Sequence, residues 1–197
     1  MPDRETDGRL LEKAGSGDQA AFLELYERHR TPVFRFAYRL LGSAELAEDV
    51  THDCFLSLIR KPENFVASRG SLRTYLFAAA RNLAMKHFRS AGREAALDDL
   101  GEEYDPIVPI REEPLHQLLE AELSDKVREA VQNLPPLQRE ALVLFEYEGL
   151  ALSEVAAVVG ADVGTVKSRL HRARERLKNA LHHYLNSSQE IVTLKEA

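Results

Sequence analysis

Ser153-Glu154-Val155-Ala156-Ala157-Val158-Val159-Gly160-Ala161-Asp162-Val163-Gly164-Thr165-Val166-Lys167-Ser168-Arg169-Leu170-His171-Arg172-Ala173-Arg174 is the stretch that decides how this chain is built. Ser153 can cap a short helix, Glu154 to Val159, whose small residues permit close packing. Gly160-Ala161 then makes a tight turn, because glycine takes the left-handed conformation at little steric cost. Asp162 is placed to cap a second helix. At about 100° per residue, that helix gathers Val166, Leu170, Ala173, Leu177, Ala180 and Leu181 on one apolar stripe. The rest of its surface carries Thr165, Lys167, Ser168, Arg169, His171, Arg172, Arg174, Arg176 and Lys178. A short helix, a glycine turn and a basic amphipathic helix make a helix-turn-helix, whose second helix enters the DNA major groove by its N-terminal part. Arginine can bridge guanine O6 and N7, while lysines and hydroxyls hold phosphates.

Outward from this motif the chain reads as helical almost throughout. Helices are predicted over 119–133, 136–148, 153–159 and 163–184, with residues 186–197 as a frayed tail. In the first half, one helix runs from Asp18 to His29, and Pro32 marks a break before another that ends at Leu41. Ser43 caps a third, with Glu45, Glu48 and Asp49 in the early turns where the helix dipole favours acids. A loop follows from Pro62 to Gly70, and Ser71 caps a long helix to about Arg89. Between Ser90 and Leu118 periodicity dissolves among Gly92, Gly101, Pro106, Pro109 and Pro114. A stretch that long without structure sits poorly inside one compact domain. The fold class is therefore all-α, with two small helical domains, 1–93 and 119–185, joined by an acidic linker over 94–118.

The net charge of −6 argues against a nucleic-acid partner until its distribution is read. Arg69 to Arg93 holds six basic residues and no acid, Glu94 to Glu122 ten acids and one base, and Lys167 to Lys178 six bases and one acid. Electrostatic footprints are local, so two basic segments flanking a polyanion remain compatible with DNA. No apolar run approaches the ~20 residues of a membrane span, and the polar N-terminus lacks a signal-peptide core. Cys54 stands alone, which excludes an internal disulfide and a cysteine-based zinc site. Beside Phe55 on a packed helix it reads as a buried, inert thiol. The histidines are scattered and no catalytic constellation is present, so neither a catalytic residue, a metal site nor a cofactor is expected.

Leu134-Pro135-Pro136-Leu137-Gln138-Arg139-Glu140-Ala141-Leu142, Gly149-Leu150-Ala151-Leu152-Ser153-Glu154-Val155-Ala156 and the run from Gly164 to Arg174 together resemble region 4 of the extracytoplasmic-function (ECF, group 4) sigma factors of the sigma-70 family. In the first half, Gly17 to Phe22, Ala47-Glu48-Asp49-Val50 with Phe55, and Thr74 to Ala84 resemble sigma region 2. The resemblance implies a promoter-reading subunit of RNA polymerase. It binds the β′ clamp helices and β flap of the core enzyme, and reads duplex −35 and melted, single-stranded −10 DNA. For the −35 element it implies Thr165, Lys167, Ser168, Arg169, His171, Arg172, Arg174 and Arg176. For the −10 element it implies Asn64, Phe65, Ser68, Arg69, Arg73, Tyr75, Arg81, Asn82, Lys86 and Arg89, the loop residues being candidates for a pocket that captures an everted base. For polymerase docking it implies Glu45, Glu48, Asp49, His52, Asp53 and Phe55, with His52-Asp53 where the family commonly has Gln-Glu. The linker's acids would mimic nucleic-acid phosphates in the polymerase cleft. The protein would be cytoplasmic, nucleoid-associated when active, not inserted in a membrane, and held by an anti-sigma factor until a stress signal.

The residues agree with this independently. Glu45, Glu48, Asp49, His52 and Asp53 fall on one helical face. Asn82, Lys86, Arg89 and Arg93 form a polar-basic stripe with Tyr75 near its head, as single-stranded DNA requires, while Leu72, Leu76, Ala80, Leu83 and Ala84 face elsewhere. Two other readings stay open at this point. An ordinary helix-turn-helix regulator would bind duplex DNA alone and have no use for the acidic face, and a sigma mimic that titrates an anti-sigma protein should have lost the basic residues at 81–93 and 167–178.

Overall fold

The computed structural model describes the backbone of residues 6–90 and 125–195, and side chains through residue 89 in the first stretch and 182 in the second. The expected linker, 94–118, lies outside the described residues. Every regular element described is helical.

The first unit is built from α1 (Asp7–Gly15), α2 (Gln19–Leu41), α3 (Ala44–Arg60) and α4 (Leu72–Ser90). Local chemistry sets several of the boundaries. The Asp18 carboxylate accepts from the Ala20 and Ala21 N–H groups, the Ser43 hydroxyl from Leu46 N–H, and the Ser71 hydroxyl from Thr74 N–H. Each satisfies a donor that the first helical turn leaves without a partner. Gly42 closes α2 at φ 74°, the left-handed region where a side chain is strained. Two 3-10 turns, Pro62–Asn64 and Ala67–Arg69, shape the connection to α4.

The expected break at Pro32 is corrected: α2 runs unbroken through it. Proline lacks the N–H that would bond the carbonyl four residues back. Continuity survives because Leu25, His29, Val33, Phe36, Ala37 and Leu40 form one uninterrupted buried stripe on both sides of the proline. Splitting the helix would take half of that stripe out of register with α3 and α4. Helix α1, which the periodicity reading did not find, buries Leu10, Leu11 and Ala14 against α2. It is tied there by Asp7, whose carboxylate accepts from Arg28 Nη1 at 2.5 Å and sits 2.9 Å from His29 Nε2.

The second unit comprises α5 (125–132), α6 (Pro136–Leu142), a π turn (Val143–Tyr147), α7 (Leu152–Val159) and α8 (Val163–Lys195). The single helix expected over 136–148 thus changes pitch at Val143. The π turn ends on Glu148, whose N–H donates to the Val143 carbonyl at 3.0 Å. Ser153 is not the cap of α7. The helix begins at Leu152, and the Glu154 carboxylate accepts from the Ala151 N–H at 2.9 Å. Helix α8 continues past the expected end at 184 to Lys195, where a frayed tail was expected. Val166, Leu170 and Ala173 are buried and Leu177 half-buried, whereas Ala180 faces solvent.

The two units lie against each other, with α4 packed on α7 and the end of α2 meeting α6 and the π turn. This contact includes charged side chains from both sides.

Candidate nucleic-acid and partner interfaces

Helix α3 presents an acidic face. Ala47, Val50, Thr51, Cys54 and Leu58 turn inward, which leaves Glu45, Glu48, Asp49, His52 and Asp53 exposed along the opposite side. Phe55, which the resemblance implies for docking, turns inward with the apolar side of the helix: it is 2% exposed and meets the Tyr26 ring edge-on at 4.9 Å. It supports the face from beneath and does not lie on it. Beside these acids runs a groove lined by Tyr26, Arg30, Phe34, Glu48, Asp49 and His52, with the Arg30 guanidinium 5.6 Å from the Tyr26 ring centre. A basic helix of a partner would find acids, a histidine and aromatic edges here on one rigid element.

Helix α4 and the loop before it form the second surface. Leu72, Leu76, Phe77, Ala80 and Ala84 are buried, so Asn82, Lys86 and Arg89 stand exposed on the other side. Leu83 is only half-buried. At the head of the helix, Asn64, Phe65, Arg69 and Tyr75 come together around a cavity of about 380 Å³, within the size range of small-ligand sites. Phe65 and Tyr75 meet edge to face at 5.7 Å, and burial pushes the Tyr75 phenol above its ordinary range, with Cys54 and Glu63 adding to the effect. Ser68 is exposed on the rim loop and does not line the cavity. The far wall is supplied by Ala157 and Val158 of α7.

The third surface is the N-terminal half of α8. Gly160, at φ 65°, ends α7 in the left-handed conformation, and the Ala161 N–H returns to the Ala156 carbonyl at 3.1 Å. Asp162 then caps α8, accepting from the Thr165 N–H at 2.8 Å and the Thr165 hydroxyl at 2.7 Å. These hydrogen bonds hold its carboxyl below the usual range. The helix-turn-helix is therefore present as expected, with some of its polar groups already engaged. The Ser168 hydroxyl donates to the Gly164 carbonyl at 3.1 Å, and Arg174 clasps Glu146, with Nη2 at 2.5 Å and its guanidinium 5.7 Å from the Phe145 ring. Lys167, His171, Arg172 and Arg176 are exposed on the same helix.

Arg169 and Arg81 turn toward one buried acid that periodicity did not single out. Glu140 on α6 is fully buried and accepts from Arg81 Nε at 2.8 Å, Arg81 Nη2 at 3.3 Å and Arg169 Nη1 at 3.3 Å. Burial pushes its carboxyl above the ordinary range, while the two arginines pull it back. Arg73 is engaged similarly, donating to the Glu148 carbonyl at 2.8 Å and to its carboxylate at 3.1 Å. Four of the residues expected to hold DNA, Arg73, Arg81, Arg169 and Arg174, are thus bound to glutamates of the second unit. Nothing local in sequence marks Glu140 or Glu148, since their partners lie 29 to 109 residues away.

Residues 25–94 match the family model for Sigma-70 region 2, and residues 124–177 that for Sigma-70, region 4. The chain is 34% identical to the ECF RNA polymerase sigma factor SigE of Mycolicibacterium smegmatis over 91% of its length and 70% of that protein. It is 31% identical to the RNA polymerase sigma-H factor of Pseudomonas aeruginosa, covering 95% of this chain and all of the relative (100%). Among solved structures it is similar to CnrH in complex with the cytosolic domain of CnrY, with a TM-score of 0.65 and 26% identity over 91% of this chain and 99% of that one. It is also similar to the sigma factor RpoE in complex with the anti-sigma factor NepR from Bartonella quintana, with a TM-score of 0.62 and 28% identity over 82% and 96% of the two chains.

Proposed function

Because the chain belongs to the ECF sigma factors of the sigma-70 family, and so directs transcription initiation rather than catalysing a reaction, we propose a division of labour among its three surfaces. The acidic face of α3, Glu45 to Asp53, docks on the basic clamp helices of the polymerase β′ subunit. Phe55 holds that face rigid from below. Asn82, Lys86 and Arg89 follow the phosphates of the melted −10 strand, and the cavity among Asn64, Phe65, Arg69 and Tyr75 receives an everted base. The start of α8 reads the −35 duplex, with Lys167, His171 and Arg172 outermost, and the second unit meets the β flap.

One observation carries this reading. Two separately matched family regions fold into two units, and each presents its own exposed charged face: acidic on α3, basic on α4 and on α8. A regulator that binds duplex DNA alone would not need the row on α3. Residues 1–93 and 119–185 are the two working domains, with the acidic segment 94–118 as the tether between them. The solved relatives bound to CnrY and to NepR support an anti-sigma factor as the partner that holds this chain inactive. Among the described residues no helix is long and apolar enough to cross a membrane, in keeping with work in the cytoplasm.

Run-off transcription with core polymerase on a promoter library tests the proposal. Initiation from defined −35/−10 pairs is expected, and Asp49→Lys with Asp53→Lys should abolish it while leaving duplex binding by the isolated chain intact. Duplex binding without any initiation would overturn it.

A further inference from the structure

Helix α1 lies outside the stretch matched to Sigma-70 region 2, which begins at residue 25, yet it meets the loop that leads into α4. It is held along its whole length. At its start, the Asp7 carboxylate accepts from Arg28 Nη1 at 2.5 Å and sits 2.9 Å from His29 Nε2, both on α2. In the middle, Leu10, Leu11 and Ala14 are buried. At its end, the Ser16 N–H returns to the Glu12 and Lys13 carbonyls, the Gly17 N–H to the Ala14 carbonyl and the Asp18 N–H to the Lys13 carbonyl, at 3.0 to 3.1 Å. Asp18 goes straight on to cap α2, so the last turn of α1 cannot shift without α2.

Gly15 of that turn stands over Pro62, where an added Cβ would lie 3.6 Å from the proline Cγ, an ordinary contact. Pro62 opens the first 3-10 turn, in which the Asn64 N–H donates to the Lys61 carbonyl and the Phe65 N–H to the Pro62 carbonyl, each at 3.1 Å. Asn64 and Phe65 then line the cavity at the head of α4. Between Lys61 and Gly70, only Pro62 and Phe65 are not exposed. The loop therefore hangs from two points: Phe65 on Tyr75 inside the cavity, and Pro62 on α1 outside it.

We propose that α1 is a positioning strut for the −10 cavity: its last turn, seated on Pro62, sets where Asn64 and Phe65 stand, and Asp7 locks the strut in place. A site discriminates when its walls are held to within about 0.5 Å, and loses that power when its support loosens by about 1 Å. The base that the cavity favours then depends on a contact outside the cavity, a consequence that rests on the everted-base assignment made above. The positioning itself rests on the contacts of α1 and Pro62.

Variants of the full chain test the strut. Asp7→Asn weakens the lock without touching the cavity, and Pro62→Ala removes the ring on which α1 sits. Glu12→Gln repeats the charge change of Asp7→Asn on the exposed side of the same helix. In hydrogen exchange on the free chain, the Asn64 and Phe65 amides should exchange about tenfold faster in Asp7→Asn and at the parental rate in Glu12→Gln. In holoenzyme, open-complex formation is compared on a promoter carrying each of the four bases at every −10 position. Asp7→Asn and Pro62→Ala should each cut the preference at one and the same position by about fivefold and leave the other positions as they were. Residues 7 and 15 stand about 12 Å apart along α1, a separation at which independent effects multiply. The double variant should instead lose no more than the larger single loss. Gly15→Ala, which fills the gap at contact distance, should keep the parental preference. Unchanged exchange in Asp7→Asn would overturn the strut, as would an equal loss on every −10 variant or multiplying effects. A preference shifted by Phe65→Ala alone would overturn it too. Faster exchange in Asp7→Asn, with unchanged preference in that variant, Pro62→Ala and Phe65→Ala alike, would uphold the strut and overturn the base-capture reading.

Discussion

Replacing Glu140 by alanine is the sharpest test of how the second unit is held together. The carboxylate is fully buried, while the Arg81 and Arg169 side chains that hold it keep 19% and 18% of their exposure. Removing one member of a buried ion pair typically costs about 3–5 kcal/mol, because the remaining charge loses its partner without regaining water. Here both guanidiniums are near enough to solvent to swing partly outward, so a loss of about 2–3 kcal/mol is expected. For a chain of this size, with a urea slope of about 2 kcal/mol per molar, the midpoint of unfolding followed by circular dichroism should fall by about 1–1.5 M. Glu140→Gln keeps an acceptor and removes the cost of burying a charge, so its midpoint should fall by less than half as much. Double-mutant cycles with Arg169 and Arg81 then separate the pair inside the second unit from the one that crosses between units. A midpoint shift in Glu140→Ala below about 0.3 M would refute the reasoning, since it would mean that water replaces the carboxylate at no cost.

Two further predictions concern the first unit. Burial, outweighing the neighbouring Asp7, lowers the pKa of His29 from 6.5, with Arg28 and Arg73 acting in the same direction as burial. The unfolded chain therefore takes up this proton first, and the stability His29 contributes is complete above pH 6.5 and is lost as pH falls through its depressed value. The melting temperature should drop between about pH 7.5 and about pH 5.5, and His29→Gln should remove part of that drop; an unchanged pH profile would refute the assignment. The Cys54 thiol is pushed up to about 12, chiefly by burial and then by Asp53. A maleimide or aromatic disulfide reagent should leave the native chain unlabelled at neutral pH and modify it stoichiometrically in denaturant, whereas labelling of the native chain at the rate of a free thiol would contradict the packing of α3.

The parts of this architecture that were legible in sequence are those set by neighbours a few residues apart. Asp18, Ser43, Ser71 and Asp162 cap their helices because each donor they satisfy lies two or three residues on. The exposed face of α3 and the basic row on α4 follow from 3.6-residue periodicity alone. Pro32 misled because its local cost is real, and only the buried stripe from Leu25 to Leu40 shows that packing overrides it. The inward turn of Phe55 follows from the same period, whereas the ring it meets, Tyr26, comes from another helix. The pairing of Arg81 with Glu140, or of Arg39 with Glu148, depends on how two units meet and has no short-range signature.

The clasp between Arg174 and Glu146 has a consequence in polyelectrolyte terms. Each cation that lands on a phosphate frees a condensed small ion from the duplex, and the number freed sets how steeply affinity falls with added salt. An arginine that keeps its carboxylate while it touches DNA brings no net charge to the phosphate and frees no ion. Arg174 with Glu146 is such a neutralised pair on the helix proposed to read the −35 duplex, and Arg169 shares the single charge of Glu140 with Arg81. On the proposed assignment, the salt sensitivity of this chain on duplex DNA is set mainly by Lys167, Arg172 and the cations like them, and falls short of what the basic run from Lys167 to Lys178 advertises.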